Sequence, residues 1–341
     1  MLDQALGLLA HDLAIDLGTS TTRVYVRGRG IVVEEPSVVA VERTRSGTRV
    51  AAIGAEAKRM VGRTPEHITA ARPIRDGVIA DFELAEALLR ACMSLALGNR
   101  PIVKPRLVIC IPHGITEVER RAVQESARAA GAREVALVGK PMAAAIGAGL
   151  PIGDPIGNLV VDVGGGTTEV GVISLGGMVS SASIRVAGDA LDRAISEWVR
   201  KRHNVLIGER TAEEVKCRVG CAVLPDEVKR VSVRGRDLGT GIPREISVDS
   251  ADACEALQEP LGQILEALRQ TLGSTPPELS ADIVDQGLVL CGGTALLPGL
   301  STLIRDQTDL PVVIAEDPRR CAVLGAGHLL EDAEMLSRVE A

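Results

Sequence analysis

Aromatic side chains are almost absent from this 341-residue chain, which has one Tyr, one Phe and one Trp, at Tyr25, Phe82 and Trp198. Single-stranded nucleic acid is usually held by stacking bases on aromatic rings, so that function is disfavoured from the start. A basic surplus is missing too: the formal net charge is -7, which leaves no broad positive field for a phosphate backbone. Nucleic acid is not expected as a partner. No run approaches the roughly 18 uninterrupted apolar residues of a membrane span. The opening segment, Met1 to Leu9, also lacks the basic flank of a secretory signal, so a cytoplasmic chain is expected. The seven cysteines are odd in number and scattered, which reads as reduced thiols acting as small hydrophobes. Cys217 and Cys221 share an i,i+4 spacing, but without an accompanying His or Cys pair they read as core or surface thiols rather than a metal site.

What the chain does contain is an apolar fraction of 46% beside 24% charged residues, enough for a real core at a length of about two domains. A core so poor in rings must be packed with Ala, Val, Leu and Ile, which suits helices laid on buried parallel strands. Apolar runs at Leu13 to Leu17, Val24 to Val26, Ile31 to Val33, Leu107 to Ile111, Leu159 to Val163, Val170 to Ile173 and Leu288 to Cys291 read as strands. A helix is predicted over Thr116 to Ala130, with Thr116 and Glu119 as a capping box and Gly131 as its stop. The class is α/β, and two hairpin-like blocks favour mixed sheets over a purely doubly wound one.

The most informative feature is an internal echo. Asp16-Leu17-Gly18-Thr19-Ser20-Thr21-Thr22 and Asp162-Val163-Gly164-Gly165-Gly166-Thr167-Thr168 each lie between two strands, half a chain apart. Glycine lets backbone N–H groups approach phosphate oxygens, and the Thr and Ser hydroxyls add donors. An Asp at the end of each preceding strand is able to hold Mg²⁺ through water, because Mg²⁺ keeps much of its hydration shell. The alternative is a pair of purely structural hairpins. A third glycine element, Gly292-Gly293-Thr294, follows a strand and precedes a helix, and beside the hairpins it becomes a candidate seat for a nucleoside. Glu213 and Lys216 share a helix face, where they either grip a ribose or form a solvated i,i+3 ion pair. Two related lobes with a cleft between them, joined by structured crossings, are expected.

These motifs resemble those of the actin-type ATPase superfamily. The resemblance narrows to the MreB family of bacterial actin homologues through the segments at 35–40, 72–82, 114–123, 141–151 and 207–214, and it extends from about His11 to the last helix. It implies a two-lobed fold with lobe I at 1–142 and 312–341 and lobe II at 143–311, with smaller subdomains near 33–70 and 185–240. It further implies ATP and Mg²⁺ in the cleft, head-to-tail filaments, attachment to the inner face of the cytoplasmic membrane and guidance of wall synthesis. By resemblance, Asp16 and Asp162 handle Mg²⁺ and water. Gly18, Thr19, Ser20, Thr21, Gly164, Gly165, Gly166 and Thr167 hold phosphates, and Glu213, Lys216, Gly292, Gly293 and Thr294 hold the nucleoside. Rival readings within the superfamily are a small-molecule kinase and a chaperone-type ATPase.

One departure bears on chemistry. Most members carry two glutamates where this chain has Gly139 and Lys140, and the second is the family's candidate for orienting the attacking water. Lysine has three donors and no acceptor, so hydrolysis is expected to be impaired whether Lys140 points into the cleft or out to solvent. Slow ATPase activity at most is expected. Thr21 stands where Asn is common, and Thr294, where a third Gly is usual, threatens to crowd the base.

For membrane contact there are two candidates. Leu2, Leu6, Leu9 and Leu13 form a helical stripe without basic or aromatic support, so its binding is expected to be weak. The loop at 100–106 places Ile102 and Val103 among Arg100, Lys104 and Arg106, where relatives carry a membrane-inserting loop, and avidity along a filament would multiply its hold.

Overall fold

The computed structural model describes residues 12–44, 47–98 and 103–340. Three strands open it, β1 (Leu13–Leu17), β2 (Thr21–Val26) and β3 (Gly30–Pro36), joined as an antiparallel meander. A small sheet follows, made of β4 (Val39–Thr44), β5 (Gly47–Ile53) and β6 (Ile68–Ala71). After the ribbon of β7 (Ile74–Arg75) and β8 (Val78–Ile79) and the helix Phe82–Leu97, β9 (Arg106–Ile111) and β10 (Glu134–Gly139) run parallel to β1. The helix between them is Glu117–Ala130, with the predicted Thr116/Glu119 capping box and Gly131 in the left-handed region at φ 118°.

The second half repeats this plan. β11 (Asn158–Val163), β12 (Thr168–Ser174) and β13 (Gly177–Ile184) form another antiparallel meander. A small sheet of β14 (Val205–Leu206), β15 (Arg230–Asp237) and β16 (Pro243–Asp249) comes next, before β17 (Leu288–Cys291) and β18 (Val312–Ile314) add in parallel beside β11. The two large sheets therefore have the same order, β10-β9-β1-β2-β3 and β13-β12-β11-β17-β18, read from opposite ends. The strand expectations hold in position and type. One boundary does not: Val312–Ile314, expected in lobe I, pairs with β17 and extends the second sheet. The chain returns to the first sheet with the helix Cys321–Glu331, which packs on β1, β2 and β9.

Two helices, Lys140–Gly147 and Cys321–Glu331, lie between the large sheets. Their cluster joins Ala14, Val108 and Val138 of one sheet to Val160, Ile173 and Cys291 of the other through Ala143, Ala144, Ala145, Ala322 and Ala326. The scarcity of aromatics thus has a structural counterpart, because a layer this thin is filled by alanine and glycine.

Candidate functional site

β1 delivers Asp16 to the mouth of a tight turn. A Cβ at Gly18 would lie 2.5 Å from the Thr21 carbonyl oxygen, so the turn closes only around glycine. From beneath, the buried Ser37 hydroxyl donates to the Gly18 carbonyl at 2.6 Å and meets the Thr22 hydroxyl at 2.8 Å. In the second turn the Gly164 N–H donates to the Thr167 carbonyl at 2.9 Å. The two hairpins face one another closely: a Cβ built on Gly165 would stand 2.1 Å from Ser20 Oγ, and one on Gly166 2.3 Å from Thr19 Oγ1.

Every residue given a phosphate, Mg²⁺ or nucleoside role above, together with Lys140, lines one cavity of about 380 Å³. That size lies within the range of small-molecule sites. Gly292 enters it at φ 87°, where an added Cβ would stand 2.2 Å from the Val163 carbonyl oxygen. Thr294 does not simply crowd the pocket, because its hydroxyl donates to the Gly164 carbonyl at 2.8 Å and ties the third element to the second hairpin.

Glu213 and Lys216 take other ion-pair partners than each other. Glu213 binds Lys58 Nζ at 2.8 Å, while Lys216 meets Asp192 Oδ1 at 2.8 Å and donates to the Gly188 carbonyl at 2.9 Å. Lys58 comes from the small sheet region of the first half. Arg72 makes a second crossing of the cleft, to Asp189 at 2.9 Å and Glu209 at 3.3 Å. These partly exposed bridges are individually weak, and act as latches more than as sources of stability.

At the floor of the cleft, Lys140 begins the helix that follows β10, and its ammonium points inward. Nζ lies 3.1 Å from Asp16 Oδ1, while Arg23 Nη1 stands 3.7 Å from Asp16 Oδ2. Lys140 is only 9% exposed. Burial alone lowers its affinity for a proton, but Asp16 and then Asp162 outweigh that effect and hold its pKa above the ordinary lysine value. Burial pushes the Asp162 carboxyl up to about 6, with Lys140 opposing the shift. Arg23 is held more closely by Glu34, at 2.9 Å, than by Asp16, so Lys140 is the cation that balances Asp16 on this floor. Oδ1 of Asp16 faces the ammonium but has no aligned hydrogen bond. A hydrated divalent ion is held by one or two carboxylates together with substrate phosphates, and here the Lys140 ammonium already occupies Asp16, leaving Asp162 as the floor's one carboxylate without an ion-pair partner among the described residues. No group of three or more His, Cys, Asp or Glu placed for a metal occurs among the described residues.

β-Sheet register reveals a symmetry that sequence reasoning missed. Asp16 lies opposite Arg23 on β2 and beside Cys110 on β9; Asp162 lies opposite Glu169 on β12 and beside Cys291 on β17. Counting register across each hairpin was the available signal for Arg23 and Glu169. No local signal existed for Asp192, Lys58 or Arg72, whose partners are distant in the chain.

Glu169 is fully buried, yet it accepts from Ser183 Oγ at 2.9 Å and from the His113 N–H at 3.1 Å, so it ties the first half to the second. Burial raises its pKa to about 7, against lowering by those two hydrogen bonds. A carboxyl whose folded pKa exceeds its unfolded value stabilises the fold below the unfolded pKa and loses that contribution as pH rises through the folded one. Glu169→Gln forfeits one acceptor at every pH but removes this titration. Wild type should therefore lose stability relative to the variant between pH 5 and pH 8, by on the order of 1 to 3 kcal/mol in denaturant unfolding. Parallel pH profiles would refute that assignment.

Of the membrane candidates, Leu2, Leu6, Leu9, Arg100 and Ile102 lie outside the described residues. Leu13 does not continue a helical stripe, since it is buried in β1. Val103 is partly exposed and Lys104 exposed, whereas the Arg106 guanidinium stands 3.7 Å from Asp12 and is not free for lipid. All seven cysteines are free thiols, five of them buried.

A model of the MreB/Mbl protein family matches residues 10–338. The cell shape-determining protein MreB of Escherichia coli K12 is 51% identical over 340 residues, 98% of this chain and 97% of that one. The cell shape-determining protein Mbl of Bacillus subtilis is 47% identical, covering 97% of this chain and 99% of its own. Among solved structures, MreB5 of Spiroplasma citri bound to AMPPNP superposes with a TM-score of 0.90 at 35% identity, over 95% of this chain and 97% of that one. A MamK double helical filament shares the fold, with a TM-score of 0.79 at 23% identity over 94% of this chain and 99% of that one.

Proposed function

Because this chain belongs to the MreB/Mbl family of actin-like cytoskeletal proteins, we propose that it binds ATP in its cleft and polymerises head to tail into filaments. On this reading the filaments lie on the inner face of the cytoplasmic membrane, help the wall-elongation machinery to set cell shape, and turn ATP over slowly. The observation that carries the proposal is the pair of glycine hairpins meeting across one cavity, with the third glycine element in its wall. Backbone N–H groups of the hairpins would receive phosphates, and Glu213 and Lys216 would flank the sugar. That the MreB5 relative was solved bound to AMPPNP supports nucleotide binding.

A head-to-tail contact is heterologous and does not close on itself, so it generates a filament. A nucleotide touching both hairpins would bias the lobes towards one relative arrangement. The latches Lys58 to Glu213 and Arg72 to Asp189 sit where such a motion would make or break them. Sedimentation and electron microscopy with ATP test the proposal: filaments are expected, whereas monomers that phosphorylate a small molecule would replace it with a kinase reading.

Attachment to lipid is assigned to the Ile102 and Val103 loop. Ile102→Ser combined with Val103→Ser should release preformed filaments from anionic liposomes while leaving sedimentable polymer unchanged. Undiminished co-flotation of the double variant with the liposomes would remove the loop from this role.

A further inference from the structure

On the floor of the cleft the Lys140 ammonium faces the carboxylates of Asp16 and Asp162, while Arg23 is held by Glu34 at 2.9 Å. With glutamate at position 140, the same floor would carry two further units of negative charge and would draw in a divalent cation before it could accept a polyphosphate. In this chain the ammonium is already there, buried, 3.1 Å from Asp16 Oδ1. Asp16 is its one ion-pair partner among the described residues, and a lysine ammonium has three donors. At least two N–H groups are therefore left for a ligand in the cavity that the hairpin glycines also line. Asp16 Oδ1 itself is buried and stands 3.1 Å from the ammonium, so the pair is in place beneath the hairpins where an anion would enter.

We propose that Lys140 supplies the counter-charge for the terminal phosphates of a nucleoside triphosphate, so that this protein binds ATP without a divalent cation. The inference rests on the nucleotide reading of the cleft. A fixed monovalent charge on a buried side chain acts on a phosphate more strongly than the same charge in water, and needs no ion to be captured first. It also carries no acceptor for a nucleophilic water, so binding and turnover are uncoupled at this position.

The test is equilibrium binding of a fluorescent ATP analogue to the full chain below its polymerisation concentration, in excess Mg²⁺ and in EDTA. Wild-type affinity should change by less than about threefold between the two conditions. Lys140→Glu should bind in Mg²⁺ and lose more than about tenfold in EDTA, and Lys140→Met should lose affinity in EDTA without regaining the glutamate pattern. Wild-type binding in Mg²⁺ that collapses in EDTA overturns the role of Lys140 while leaving the nucleotide site intact. Absence of binding in both conditions overturns the nucleotide reading itself, and this inference with it. Should either variant fail to fold, the wild-type pair of measurements still decides the matter.

Discussion

Lys140→Glu should raise ATP turnover in Mg²⁺ by about 100-fold, the lower end of what a positioned general base or water-orienting group contributes. The side chain at this position begins a helix directly after β10 and is directed into the cleft, so a glutamate there would place a carboxylate beside Asp16 and Asp162. Lysine in the same place offers donors alone and holds no water by its lone pairs. The measurement is phosphate release at filament-forming concentration, with Lys140→Ala as the companion. Alanine restores no acceptor and should stay slow, which separates a gain of the carboxylate from mere loss of the ammonium. An unchanged rate in the glutamate variant, with filaments still formed, would show that slow turnover has another cause. A wild-type rate already in the range of a glutamate-bearing relative would remove the premise.

The second large effect is structural. Gly325→Ala should destabilise the fold by about 2 to 4 kcal/mol, although helix propensity alone favours alanine by about 1 kcal/mol. Gly325 sits in the helix Cys321–Glu331, where an added Cβ would lie 1.8 Å from the Ala143 carbonyl oxygen; at Gly147 of the facing helix it would lie 1.9 Å from the Cys321 carbonyl oxygen. Both obstructions are backbone, so no rotamer change relieves them and the two helices must separate. Because these helices bridge the large sheets, the displacement spreads through the cluster that contains Ala14, Val160 and Cys291. The thermal midpoint should fall by roughly 3 to 6 °C. A midpoint equal to or above wild type would mean that the crossing is looser than its geometry indicates. The variant should also show weakened nucleotide binding, since the helix carrying Gly147 starts at Lys140.

Much of this was legible from local patterns. The first strand, the capping box at Thr116 and the stop at Gly131 were readable because each depends on contacts within a few residues. The two hairpins were readable for the same reason, since a turn in which a Cβ on Gly18 would stand 2.5 Å from the Thr21 carbonyl oxygen admits little but glycine. The placement of Val312–Ile314 was not, because a short run at the sheet edge has the same composition whether it joins one sheet or the other; its partner β17 decides. Leu13 fitted a helical spacing as well as a strand, and the parallel neighbour β9 resolved it. Glu213 and Lys216 looked like each other's partners at i,i+3, but Lys58 and Asp192 are brought close by elements far away in the chain.

The sequence by itself determined the α/β class, the duplicated hairpins and the third glycine element, since short-range sterics and spacing encode these, while the resemblance of whole segments to MreB proteins pointed to the family. It also exposed the lysine in place of a glutamate. Only the tertiary structure decided that Lys140 faces inward to Asp16, that Arg23 and Glu169 occupy matching positions beneath the two hairpins, and that the latches cross the cleft. Those are properties of burial and of charges meeting across long chain separations, and neither is written in any local run of residues.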